Sequence, residues 1–303
     1  MGRAPESPGR VVVTGASSQV GHFLLPRLRA AGFAVSALSR NPQSSAIGVD
    51  WLLGDLQRNI DWSPASGARA LIHAAEITLL ESQLEPLAQL GVRRLIAFSS
   101  TSRLTKRESS DPAERRLAQA LANAEQELSR SCEALGIAWT LFLPTLVYGA
   151  GLDHNVSFIA QFIRRFGWFP LVGGGRGLRQ PVHADDLAAA CLAALDNPKA
   201  QGSIYALTGG ETLSYRAMVE RVFQGLGRTP RLLPVPLGLL RAAIRAGRLL
   251  PAYRRLSPQM ADRVNQDLCF DSEPARRDFG YAPRGFRFEP SPRNDRARAN
   301  ADS

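Results

Sequence analysis

The 303-residue chain predicts a doubly wound parallel α/β fold with a smaller, mostly helical C-terminal lobe. Two observations lead there. Short β-branched or leucine-rich runs, bounded by Gly, Pro, Ser or Asp, alternate with helix-spaced leucines as far as residue 207, the order that builds a parallel sheet covered on both faces. The first run, Val11-Val12-Val13, passes into Thr14-Gly15-Ala16-Ser17-Ser18-Gln19-Val20-Gly21. There Gly15 permits a tight turn, and Gly21 lies in the first turn of a helix running through Phe23, Leu24, Leu25 and Leu28. Such a turn aims backbone N–H groups and the positive end of a helix at the strand tip, a cradle for a pyrophosphate. The expected occupant is a dinucleotide, held by Thr14, Gly15, Ser17, Ser18, Gln19, Val20 and Gly21, although the middle glycine of the usual fingerprint is Ser18 here.

Composition bounds the class. Apolar residues make up 45% of the chain, which fits a globular protein. Cys132, Cys191 and Cys269 lie far apart in no metal-like spacing, so no metal site is expected and a reducing cytoplasm is the simpler setting. Residues 1–10 are polar and Pro-rich without the apolar stretch of a signal peptide, and no apolar run reaches the roughly 20 residues of a membrane span. The net charge of +10 raises nucleic acid or an anionic membrane surface as partners. Yet the basic residues are spread along the chain and nearly all are arginine, with Lys106 and Lys199 the sole lysines. That pattern fits a solvated basic surface. Nucleic acid is not an expected partner, and peripheral attraction to a membrane surface stands as the alternative.

Gly32 closes the first helix and residues 34–38 form a second strand ending at Ser39-Arg40-Asn41. An acidic residue there would accept hydrogen bonds from the adenosine ribose; a hydroxyl and a guanidinium instead favour NADP(H) over NAD(H). Residues 49–53 make the third strand, followed by Gly54-Asp55-Leu56, and the connection 57–69 is too short and broken for a long crossover helix. A fourth strand, 70–73, ends in His73-Ala74-Ala75, where small residues let backbone approach a cofactor. Helix-spaced leucines at 79–90 precede a fifth strand, 93–98, which opens onto the hydroxyl cluster Ser99-Ser100-Thr101-Ser102 at the sheet edge where doubly wound folds bind ligands. A sixth strand is expected at 137–143 and an aromatic-rich amphipathic helix at 153–168. The glycine run 173–177 lacks the lysine and helix start of a P-loop. Asp185 is placed to cap a helix over 187–195, and 202–207 supplies a further strand. Helices follow at 213–226 and 237–250, the second with Arg241, Arg245 and Arg248 on one face, suited to packing on its own lobe or lying on a membrane. Residues 291–303 are polar and expected to be disordered. The expected division is a dinucleotide-binding domain, 9–207, with 149–177 contributing to a substrate lobe, 208–290, and the site in the cleft between them.

Several strings resemble, in the same order, motifs of extended and atypical short-chain dehydrogenases/reductases: TGASSQVG at 14–21, His73-Ala74-Ala75, Phe98-Ser99-Ser100-Thr101, Ala124-Glu125-Gln126, Pro144 to Gly151, Arg179 to Leu187, and the close at Phe279-Gly280-Tyr281-Ala282-Pro283. The resemblance spans residues 10–288. It implies an oxidoreductase or an epimerase/dehydratase-type enzyme acting on a small molecule with a carbonyl or hydroxyl, nucleotide sugars included. It also implies Asp55 and Leu56 at the adenine, His73, Ala74, Ala75, Ser99 and Ser100 along the dinucleotide, and Pro144 and Leu146 beside the nicotinamide. Thr101 would polarise the substrate oxygen, and Arg179 and Asn155 would hold the substrate. One departure stands out: where active members of that family carry YxxxK, this chain has Leu117 and Leu121, and leucine transfers no proton. Three explanations stay open. Lys106, His183 or Tyr148 supplies the proton; water does; or the chain binds a dinucleotide without turnover, as a silent accessory subunit like those of respiratory complex I or as an NmrA-like sensor.

Overall fold

The computed structural model describes residues 8–43, 48–153, 155–239 and 263–290. Seven strands form one sheet: β1 (Arg10–Thr14), β2 (Ala34–Ser39), β3 (Val49–Leu53), β4 (Ala68–His73), β5 (Arg94–Phe98), β6 (Ala138–Pro144) and, after four short strands described below, β11 (Ser203–Leu207). Their order is β11-β6-β5-β4-β1-β2-β3 and every pair is parallel. A parallel sheet is covered on both faces, so its strands read as unbroken apolar runs; Val11, Val12, Val13, Leu71, Ile72, Leu95, Ile96, Leu141 and Phe142 have no exposed surface. Chain order reverses between β1 and its neighbour β4, which creates the switch point where ligands bind in this class. Register carries the consequence: Thr14 pairs with His73, His73 with Ala97, and Phe98 with Phe142, so the ends of β1, β4, β5 and β6 lie side by side.

Helices α1 (Gln19–Ala30), α2 (Glu81–Gln89), α3 (Ser102–Thr105), α4 (Pro112–Ala134) and α6 (Ala184–Leu195) belong to the same unit, whereas α5 (Val156–Phe166) belongs to the second. Leu84 and Leu87 of α2 and Leu121, Leu128 and Cys132 of α4 share one core with Val12, Leu71, Leu95 and Leu141 of the sheet. On α6, Ala184, Ala188, Ala190, Cys191 and Ala194 are buried, small residues that let it pack closely on α1. Asp185, expected as a cap, lies inside this helix, and its carboxylate takes a bidentate bond from Arg27 of α1 at 2.6 and 2.8 Å. The far end of α6 is held by a buried arginine: Arg94 donates to the carbonyls of Ala194 and Leu195 at 2.8 and 2.9 Å, satisfying acceptors that a helix end leaves over. A last helix, α8 (Glu273–Phe279), joins this unit late in the chain; the unit consists of residues up to 144, then 184–207 and 271–282.

The second unit takes 145–183, 208–270 and the residues from 283 on. It contains α5 (Val156–Phe166), α7 (Tyr215–Gly225) and three strand pairs: β7 (Val147–Tyr148) with β10 (Val182–His183), β9 (Leu178–Arg179) with β12 (Leu213–Ser214), and β8 (Phe169–Leu171) with β13 (Leu232–Pro234). Its core gathers Ile159 and Ile163 of α5, Met218, Val222 and Phe223 of α7, and Tyr148, Phe169 and Phe286. The arginine face expected at 241–248 and the polar stretch 291–303 lie outside the described residues. Among the described residues no helix is long and apolar enough to cross a membrane.

Candidate functional site

Two glycines shape the turn after β1. Gly15 has φ +69°, and a Cβ there would stand 2.4 Å from the Ala74 carbonyl carbon; a Cβ on Gly21 would stand 2.3 Å from the Ala16 carbonyl oxygen. The first glycine lets the turn run against the end of β4, and the second lets α1 begin against the turn itself. Ser18, in place of the middle glycine, caps α1: its Oγ accepts the Gly21 N–H at 3.1 Å while its own N–H donates to the Gly15 carbonyl at 2.9 Å. No acidic residue occupies the first turn, and the first N–H groups of any α-helix lie beyond the reach of its own carbonyls. A backbone cradle that a side chain would fill, at the positive end of a 12-residue helix, fits a dinucleotide pyrophosphate.

At the adjoining tip, His73 is fully buried and both ring nitrogens are committed. Nε2 donates to the Glu76 carbonyl at 3.0 Å, which leaves Nδ1 to accept the Thr14 hydroxyl at 2.7 Å. Burial pushes its pKa down to about 4, so the ring is neutral and clamps two strand ends together. Thr14 spends its carbonyl on the Ala74 N–H at 2.8 Å, so it too holds the turn to β4. Beyond β2, the Ser39 hydroxyl donates to the Asn41 carbonyl at 2.8 Å and accepts from Gln43, engaged with its own loop. Arg40 beside it is exposed and forms no ion pair among the described residues. After β3, the Asp55 carboxylate accepts the Gln57 N–H at 3.1 Å, and the Leu56 side chain is buried in the core.

The hydroxyl cluster after β5 separates into different tasks. Thr101 is buried and donates its proton to the Pro144 carbonyl at 3.0 Å. A substrate oxygen would have to displace that bond. Ser100 Oγ accepts the Ser102 N–H at 3.1 Å, and its own proton goes to no described group. Ser99 donates to Glu125 Oε1 at 2.5 Å, and Arg103 pairs with Glu125 Oε2 at 2.8 Å. Glu125 served in the sequence only as part of a family string. In the fold it is a buried carboxylate whose pKa is raised by that burial, against the pull of Ser99 and Arg103. The signal available was its place one turn after Leu121, on the same buried face of α4. Leu121 is buried in the core and Leu117, one turn earlier, is 40% exposed. Lys106 ends α3, half-buried, with its N–H on the Ser102 carbonyl at 3.0 Å.

Residues 144 and 146 fall in different units, with Leu146 packed on the core of the second. In that second unit, Arg179 does not present a free guanidinium to a substrate. Its Nη1 donates to the carbonyls of Leu178 and Gln266 at 2.7 and 2.6 Å, its Nη2 donates to that of Arg263 at 2.5 Å, and the group lies over the Tyr215 ring. Burial lowers its pKa, and the residue straps segment 263–266 to β9. Asn155 is exposed at the start of α5; the residue that caps this helix is Asp153, whose carboxylate accepts from Ser157 N–H and Oγ at 2.8 Å each. Tyr148 is buried, edge-on to His183, and its hydroxyl accepts the Arg287 N–H at 3.4 Å. Among the described residues, no group of three or more His, Cys, Asp or Glu side chains is placed to hold a metal.

Residues 63–207 match the model of the NAD dependent epimerase/dehydratase family. The match covers just under half of the chain, and together with the relatives below it supports assignment to the extended short-chain dehydrogenases/reductases. The glycine turn at 15–21 lies before the matched residues, so the two are independent signals. The chain is 26% identical over 318 residues to the 4-hydroxy-2-methyl-3-oxo-4-farnesyl-3,4-dihydroquinoline-1-oxide ketoreductase of Stigmatella aurantiaca, covering 91% of this chain and 92% of that one. It is also 26% identical to the 2-alkyl-3-oxoalkanoate reductase of Stenotrophomonas maltophilia, covering 90% and 94%. Among solved structures, a short-chain dehydrogenase/reductase superfamily protein from Agrobacterium tumefaciens with bound NAD superposes with a TM-score of 0.67 at 15% identity, over 97% of this chain and 99% of that one. Family and fold together make a nicotinamide dinucleotide the cofactor class.

Proposed function

We propose that this dehydrogenase/reductase prefers NADP(H) and interconverts a ketone and a secondary alcohol on a small molecule of the 3-oxo class. The observation that carries the reading is the adjacency of three strand tips: the glycine turn on β1, Ala74-Ala75 on β4 and the hydroxyl pair Ser100-Thr101 on β5. When bound, the dinucleotide supplies the hydride. The backbone of 15–21 holds its diphosphate, and the Arg40 guanidinium, unpaired among the described residues, suits a 2′-phosphate. Ser100, with a proton to give, donates to the substrate oxygen and so favours the charge that develops there. With leucine at 117 and 121, the proton that completes the alcohol comes from water. The 3-oxo class rests on the two relatives, both named for reducing a 3-oxo compound.

The test is NADPH oxidation across a panel of 2-alkyl-3-oxo acids and cyclic 3-oxo compounds. Turnover is expected, falling about 100-fold in Ser100→Ala and less in Thr101→Val. A larger loss in Thr101→Val reassigns the polarising hydroxyl to Thr101. Calorimetry should give tighter NADPH than NADH binding, and Arg40→Ala should erase the difference. Leu117 and Leu121 favour a second reading, a silent dinucleotide-binding subunit. Tight NADPH binding with no hydride transfer to any member of the panel would select it.

A further inference from the structure

A groove of about 720 Å³ runs along α3 and the first half of α4, lined by Arg103, Arg107, Arg115 and Arg116 with Leu104 and Ala118 among its apolar residues. Its charge is not cancelled locally. Arg103 is neutralised by Glu125, while Arg115 donates to the Ser109 carbonyl at 2.6 Å and keeps its charge. Arg107 and Arg116 are exposed and make no ion pair among the described residues. The nearby carboxylates are otherwise placed: Asp111 caps α4 through the Ala113 N–H, Glu114 is buried and accepts from the Ser109 hydroxyl, Glu108 is exposed, and none of them lines the groove. Pro112, the first residue of the 23-residue α4, also lines it.

Three uncompensated guanidiniums thus line a concavity within the size range of small-molecule sites, about 300–1,000 Å³. Guanidinium forks match phosphate oxygens in pairs, and a concave wall suits a compact polyanion better than an extended strand or a flat surface. On α4, Arg115, Gln119 and Ala122 follow i, i+4, i+7 spacing, on a face well away from Leu117 and from the buried stripe of Leu121 and Leu128. We propose that this arginine groove binds a phosphate-bearing small anion, of the di- or triphosphate class, at a site separate from the dinucleotide turn.

Inorganic tripolyphosphate titrated calorimetrically into the full chain at 150 mM salt, with and without saturating NADPH, provides the test. Saturable binding that persists with NADPH is expected, weakened at least tenfold in the double variant Arg107→Gln, Arg116→Gln, whose NADPH affinity and thermal melt stay at the wild-type values. Reading the arginine dependence without NADPH as well keeps this result independent of the proposed cofactor. Binding equal in wild type and variant, binding abolished by NADPH, or binding to phosphoinositide-containing vesicles but not to soluble tripolyphosphate would each overturn the proposal.

Discussion

Gly15, Ser18 and His73 show how single positions set the tip of the sheet. Gly15 combines a left-handed φ of +69° with a Cβ position 2.4 Å from backbone, so Gly15→Ala adds conformational strain to a clash and should destabilise by about 2–4 kcal/mol in urea unfolding. Ser18 makes the opposite case. As the cap of α1 it should lose about 1 kcal/mol on Ser18→Ala but only a few tenths on Ser18→Gly. Since Ser18→Gly restores the familiar fingerprint, unchanged dinucleotide affinity in that variant would establish that the serine serves the helix. His73 links this corner to pH. Its folded pKa of about 4 lies below the ordinary 6.5, so above pH 6.5 the ring is neutral in both states and the fold bears no cost. As pH falls from 6.5 towards 4, the unfolded chain binds a proton that the folded chain refuses, and stability is lost across that window by about 3 kcal/mol. His73→Gln should flatten the difference, measured as urea midpoints at pH 7.5 and 4.5; an equal acid-side drop in both proteins would place the loss elsewhere.

Between elements, the contact of α1 with α6 tests how far sequence alone could go. Asp185 follows a short strand and precedes a helical leucine, which is where a cap belongs by composition, and its carboxylate also takes a bidentate bond from Arg27, 158 residues away in the chain. A double-mutant cycle on Arg27→Ala and Asp185→Ala should return a coupling of about 1 kcal/mol, the upper range for a bidentate, half-exposed pair. A pair without energetic weight would return none. The same distinction explains what was legible elsewhere. The central strands could be read because a doubly covered parallel strand is apolar nearly throughout, the edge strands β3 and β11 from shorter apolar runs between turn residues, and Gly15 and Gly21 because backbone crowding admits no other residue. The partners of Thr101 and Arg179 were not legible, because the Pro144 carbonyl and the carbonyls of Arg263 and Gln266 are brought close only by the tertiary fold. Residue type announces a capacity to donate, whereas the fold decides what receives it.

For the molecule as a whole, the chain passes between its two units five times, at 144/145, 183/184, 207/208, 270/271 and 282/283. The sheet-bearing unit is therefore assembled from three separated segments, and its edge strand β11 is fastened by the last of them. Phe279 of α8 lies 5.1 Å from the Tyr205 ring and 5.8 Å from that of Phe142, while the Tyr205 hydroxyl donates to Asp278 at 2.9 Å and Asn197 to the Asp278 carbonyl at 2.8 Å. A buried phenylalanine packed on the rings of a cross-strand pair should cost about 3–5 kcal/mol when truncated to alanine. Because β11 and β1 stand at opposite sides of β6, β5 and β4, that loss should fall on unfolding rather than on the glycine turn. Phe279→Ala is thus expected to lower the urea midpoint markedly while dinucleotide affinity, measured where the variant is still folded, stays within twofold of wild type. A loss under 1 kcal/mol would mean that α8 rests on the sheet without securing it, and a large fall in affinity would mean that the sheet transmits disturbance at its edge as far as β1.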